Sequence, residues 1–133
     1  MALPSRLLKD SAGAEVLGEV QTTPTANTVL ARLKSLYDEG SYTTGTPTTV
    51  TVGATTTVAL AANTNRIHAL LINDSTETIY LKIGASAAMN QGIRLNAGGG
   101  NYSMSRREGN LNIGAINAIC TSGSKILLVL EGV

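Results

Sequence analysis

From Thr49 onward, apolar positions recur at every second residue in short runs, and Gly, Asn, Asp and Ser break the runs. Alternation with a period of two marks a strand with one buried face. The first such stretch places Val50 and Val52 in phase with Val58 and Leu60, with Thr between them and Gly53-Ala54 as a turn or bulge. The organising stretch is Arg66 to Gly84, RIHALLINDSTETIYLKIG. It reads as a hairpin of two strands joined by a polar loop, Asn73 to Thr76. In its second strand Ile79, Leu81 and Ile83 alternate with Thr78, Tyr80 and Lys82. In its first strand both sets are largely apolar: Ile67, Ala69 and Leu71 against His68, Leu70 and Ile72. That strand is expected to be covered on both faces.

Further strands follow. Ile93, Leu95 and Ala97 alternate with Arg94 and Asn96, and Gly98-Gly99-Gly100 turns the chain into Tyr102–Ser105. Leu111 and Ile113 are out of phase with Ile116, Ala118 and Cys120, which predicts a β-bulge at Gly114-Ala115. Ile126 to Leu130 is continuously apolar and predicts a central strand. About eight short strands with turn signals every ~8–12 residues predict an all-β fold: a β-sandwich, jelly-roll-like.

The pattern before Thr49 differs. Val29, Leu33, Leu36 and Tyr37 fall at i, i+4, i+7 and i+8, which predicts one short α-helix over 24–38. Thr23 suits its cap, Pro24 its first position and Gly40 its end. Residues 1–22 show no period and are read as an extended N-terminal arm with scattered apolar anchors, Leu3, Leu7, Leu8, Val16, Leu17 and Val20. An arm of this kind suits docking across a neighbouring subunit, and packing on its own domain is the equal alternative. Residues 40–48, GSYTTGTPT, have the composition of a linker. The boundary is placed there, with residues 1–44 as arm and helix for attachment or oligomerisation and 45–133 as the β-sandwich. The ten anchors just named, Val29, Leu33, Leu36 and Tyr37 included, are the candidate partner-docking residues.

Composition narrows the chemistry. The chain has 133 residues, a net charge of +1 and 14% charged residues. No basic excess points to nucleic acid. Phe and Trp are absent and only four Tyr occur, so the core must be aliphatic. The N-terminus has no long apolar run and is not read as a signal peptide. No stretch reaches the ~20 apolar residues of a membrane span. The expectation is a soluble chain with no membrane partner. Cys120, the one cysteine, reads as a small buried hydrophobe, and His68, the one histidine, as structural. No His, Cys, Asp and Glu set has metal-ligand spacing. The glycine run lacks the Lys and Ser/Thr of a phosphate loop. Arg106-Arg107, Asp38-Glu39, Asp74 and Glu77 read as solvated. The expectation is no enzyme, no cofactor and no metal.

RIHALLINDSTETIYLKIG, then GIRLNAGGGNYSMS, then KILLVLEG resembles small β-sandwich structural proteins of tailed bacteriophages, over about residues 50–133. The leader MALPSRLLKDSAG…VLARLKSLYD resembles the start of phage virion proteins more loosely. The resemblance implies a non-enzymatic virion component, assembled in the host cytoplasm. The leading form is a capsid decoration (cement) protein on the major capsid protein, as a homo-oligomer with a trimer favoured. A neck or tail adaptor, or a fibre-anchoring protein, is the alternative. A glycan-binding sandwich is the reading of another class, and four Tyr give it little support.

Overall fold

A computed structural model describes residues 29–38, 41–42 and 44–133. The chain divides into two units, Met1–Glu39 and Gly40–Val133. Among the described residues of the first, a helix, α1, spans Val29–Asp38. The expected start of this helix at 24–28, its cap Thr23, its stop Gly40 and the whole of the 1–22 arm lie outside the described residues. Lys34 and Asp38 close an i,i+4 ion pair at 2.5 Å on α1. Both are exposed, so the pair contributes little.

The second unit contains β1 (Gly45–Val52), β2 (Thr57–Leu60), β3 (His68–Asn73), β4 (Ile79–Ile83), β5 (Ile93–Leu95), β6 (Asn101–Ser105), β7 (Ile116–Ile119) and β8 (Lys125–Gly132). They form two four-stranded sheets in the orders β1-β8-β3-β6 and β2-β7-β4-β5. Every pairing is antiparallel. First pairs with last and second with seventh, then third with sixth and fourth with fifth. This is one long antiparallel ribbon folded on itself. Rolling the ribbon adds the β3–β8 and β4–β7 pairings and closes the two sheets over a core. The second unit is an all-β sandwich with jelly-roll connections.

The inward residues follow the alternation. Val52, Leu71, Ile79, Leu81, Leu95, Met104, Ile116, Leu127 and Val129 are all buried in one cluster. β8 is central, between β1 and β3, as its apolar run predicts. Pro47 lies in β1, which among the described residues is an edge strand paired with β8, and Pro is confined in sheets to such edges and to strand starts or bulges. Residues 45–48 of the expected linker are therefore strand, since β1 already begins at Gly45.

Two expectations are overturned. The Arg66–Gly84 stretch is not a hairpin. β3 pairs with β6 and β8, whereas β4 lies in the other sheet and pairs with β5 and β7. The polar loop between them crosses from sheet to sheet, so the apolar sides of β3 and β4 face each other through the core. Asn73 fixes the crossing. It is fully buried, and its Nδ2 donates to the carbonyls of Glu77 (2.7 Å), Leu95 (3.0 Å) and Asn96 (3.0 Å). Its Oδ1 accepts from the Ser75 amide at 3.1 Å and hydroxyl at 2.7 Å. The glycine run packs beside this knot: Gly99 N–H donates to Asn73 O and Asn73 N–H to Gly100 O. Gly98 and Gly99 have φ of 68° and 111°, a region in which L side chains are strained.

The bulge at Gly114-Ala115 is also absent. Residues 111–115 form no strand, and the phase change marks the end of a loop at Ile116. The register shift of this sheet falls instead between Val58 and Leu60. The loop is held by Arg66, whose side chain is fully buried. Its Nη1 donates to Asn112 O (2.8 Å) and Gly114 O (2.9 Å), its Nη2 to Ala61 O (2.5 Å), and its Nε to Glu131 Oε1 (2.6 Å).

Candidate functional site

On α1 the described docking candidates are brought together as expected from their spacing. Val29, Leu33, Leu36 and Tyr37 are 55%, 57%, 68% and 72% exposed. A helix with an apolar stripe normally buries it. The remaining candidates, Leu3, Leu7, Leu8, Val16, Leu17 and Val20, lie outside the described residues.

A second surface was not among the candidates. The outer face of the β1-β8-β3-β6 sheet is built by residues opposite in phase to the core. Cross-strand register places Pro47, Leu130, Leu70 and Ser103 in one row, and Thr49, Leu128, Ile72 and Asn101 in the next. Pro47, Thr49, Leu70, Ile72, Leu128 and Leu130 line an open groove of about 430 Å³. Leu128, at its centre, is 37% exposed, and Leu70, Ile72 and Leu130 are half-buried. No Asp, Glu, Lys or Arg points outward from the four strands. The opposite sheet differs: its outward positions include Tyr80, Lys82, Arg94 and Asn117, a polar solvent face. The signal for the apolar face was present in the sequence, because HALLIN and KILLVL are apolar in both phases. For HALLIN such a pattern predicts coverage on both faces, and for the run 126–130 a central strand. Among the described residues β3 has one wholly buried face, with His68, Leu70 and Ile72 half-buried on the other.

One end of this face is closed by Tyr42. Its ring stacks on His68, with centroids 5.1 Å apart and planes within 9°. It also lies over Gly132, where an added Cβ would meet the ring at 2.6 Å. His68, expected to be structural, packs under this tyrosine.

Elsewhere the polar groups fasten loops. Glu77, expected to be solvated, instead accepts from the Ser122 hydroxyl at 2.6 Å and the Ser122 amide at 3.1 Å, and lies 3.4 Å from Lys125 Nζ. The Ser122 hydroxyl holds its carboxyl below the ordinary value of 4.5, aided by the amide and Lys125 and opposed by desolvation. Cys120 is buried, and its thiol donates to Ser122 O at 2.6 Å. Burial first, and the Glu77 charge second, push this thiol above its ordinary value. A thiol so placed is protonated and a weak nucleophile. Among the described residues no group of three or more His, Cys, Asp and Glu could hold a metal ion. Among them, too, no helix is long and apolar enough to cross a membrane.

Comparison with family models, with curated proteins and with solved structures finds no match to this chain.

Proposed function

We propose that this protein is a non-enzymatic virion structural component of a tailed bacteriophage, in first place a capsid decoration protein that stabilises the head. It acts as a homo-oligomer, a trimer in the favoured form, on the major capsid protein. The observation that carries the reading is the pairing of a self-closing jelly roll with an appended helix whose apolar stripe is exposed. The core cluster lies wholly within the sandwich, so the apolar stripe of α1 is available for self-association, and attachment to the head is assigned to residues 1–22. Several copies of residues 1–22 on one oligomer raise the effective concentration of each at the capsid surface, so weak contacts suffice. The sequence resemblance to phage β-sandwich proteins supports the same reading.

The test mixes the purified full chain with expanded heads and, separately, with isolated tails of the phage that encodes it, and follows co-sedimentation. Saturable binding to heads is expected. Binding to tails alone would replace decoration by the neck or tail adaptor reading, and binding to neither would end both. Deletion of residues 1–22 is expected to leave the far-ultraviolet circular dichroism unchanged and to abolish head binding. A truncated chain that still saturates heads would place attachment outside residues 1–22.

A further inference from the structure

We infer that the groove on the outer face of the β1-β8-β3-β6 sheet is the docking site for helix α1 of a second copy of this chain. The oligomer is thereby closed by exchanged helices.

Two apolar surfaces are open in the single chain, and they match in kind. The sheet offers two central strands whose outward Leu70, Ile72, Leu128 and Leu130 form a two-by-two block, with Leu70 beside Leu130 and Ile72 beside Leu128. Pro47 and Thr49 of β1 form one wall of the groove. The helix offers Val29, Leu33 and Leu36, spaced by one turn, on a rod ~15 Å long. The sheet block spans two residues along each strand, ~7 Å between rows plus the side chains themselves. One turn and a half of helix covers it. The face is uncharged, so no buried charge opposes the contact. The opposite sheet, with Lys82 and Arg94 outward, offers no such seat.

Area selects the helix over a simpler alternative, two sheet faces pressed together. Four strands ~4.8 Å apart and two or three rows deep present only a few hundred Å². A stable interface buries ~800 Å² on each partner. Exchange buries two apolar surfaces of each copy, the helix stripe and the groove, instead of the sheet face alone. It closes reciprocally in a dimer and cyclically in a trimer, so no apolar surface of either kind is left open. Tyr42, stacked on His68 at the end of the same sheet, anchors the chain between helix and sandwich on its own copy. The exchanged part is then limited to what precedes it. The arrangement rests on the reading above only in requiring a homo-oligomer.

The experiment uses two differently tagged full-length chains, both in a Cys120→Ser background. One carries Leu36→Cys on the helix, the other Leu128→Cys in the groove. They are mixed, refolded together and treated with a short bis-maleimide. A cross-link between the two tags is expected. A cross-link found only between two Leu128→Cys copies would mean face-to-face packing, and one found only within a chain carrying both substitutions would mean the helix of the same copy. Either result, or no cross-link, overturns the exchange. Light scattering gives the second reading. Leu128→Glu and Leu33→Glu, both at exposed positions, should each weaken self-association at least a hundredfold while leaving the circular dichroism spectrum intact. A wild-type chain that is monomeric at its highest soluble concentration sinks the exchange outright. A cross-linked oligomer that binds no heads would leave the exchange standing and remove the decoration function.

Discussion

Arg66→Met is the sharpest test of how this sandwich is held at its loop end. The substitution keeps an aliphatic stem in the site and removes the guanidinium. Four acceptors then lose their donor: the carbonyls of Ala61, Asn112 and Gly114, and Glu131 Oε1. Arg66 is fully buried, whereas the Glu131 side chain is 24% exposed. The carboxylate can therefore recover some hydration, and the loop can open to water. That relaxation keeps the four losses from adding at the ~1.5–3 kcal/mol each expected of bonds to a charged donor. Breaking one side of a buried ion pair costs ~3–5 kcal/mol, and this is the expected loss. Set against a total of ~5–15 kcal/mol, it leaves a marginal domain. At ~4–8 °C per kcal/mol for a domain of this size, the melting temperature should fall by at least ~12 °C. Urea unfolding followed by far-ultraviolet circular dichroism measures the loss directly, since the chain has no Trp. Amide exchange should speed up first in residues 111–115, because Arg66 is the group that ties that loop to β3 and β8. Adding Glu131→Gln to Arg66→Met should return part of the loss by removing the unpaired charge. A single variant that loses less than ~1 kcal/mol with an unchanged denaturant slope would refute the assignment of Arg66 as the clamp.

Three further predictions follow from neighbouring features. Asn73→Ala should cost ~2–4 kcal/mol by orphaning the carbonyls of Glu77, Leu95 and Asn96, read as a lower urea midpoint; a loss within ±0.5 kcal/mol would show that the sheet crossing is fixed otherwise. Leu71→Asp places a charge at a position with no exposure and should abolish cooperative melting; a soluble, cooperatively melting variant would mean the core is misplaced. Glu77 has its folded-state pKa depressed by Ser122, so its contribution is complete above the ordinary value of 4.5 and is lost as pH falls through the lower folded value. Glu77→Gln should therefore flatten the acid side of the melting-temperature profile below about pH 4.5, and an unchanged profile would place that acid sensitivity elsewhere.

The sequence by itself determined which side chains form the core and where most strands lie. Alternation is a local property, set by the pleat, so Ile79, Leu81 and Leu95 were identifiable from parity alone, whereas Leu71 and Leu127 lie in runs apolar in both phases. The amphipathic stripe of α1 was legible for the same reason. Partner choice between strands was not. A turn-like NDSTE between two apolar strands is compatible with a hairpin or with a passage between sheets, because its local turn chemistry is the same in both. What decided for the passage was the tertiary closure of the ribbon, with Asn73 satisfied only when the carbonyls of Leu95 and Asn96 arrive from β5 and the turn after it. The phase change at Gly114 was likewise ambiguous, since a bulge and a loop end both shift parity. The guanidinium of Arg66, reaching 46 and 48 residues along the chain, made it a loop. The apolar outer face was spelled out in HALLIN and KILLVL, yet only the pairing of β3 with β8 showed that their second phase forms one exposed surface instead of a second buried layer. Parity places a residue on a face; only the assembly of strands decides what lies over that face.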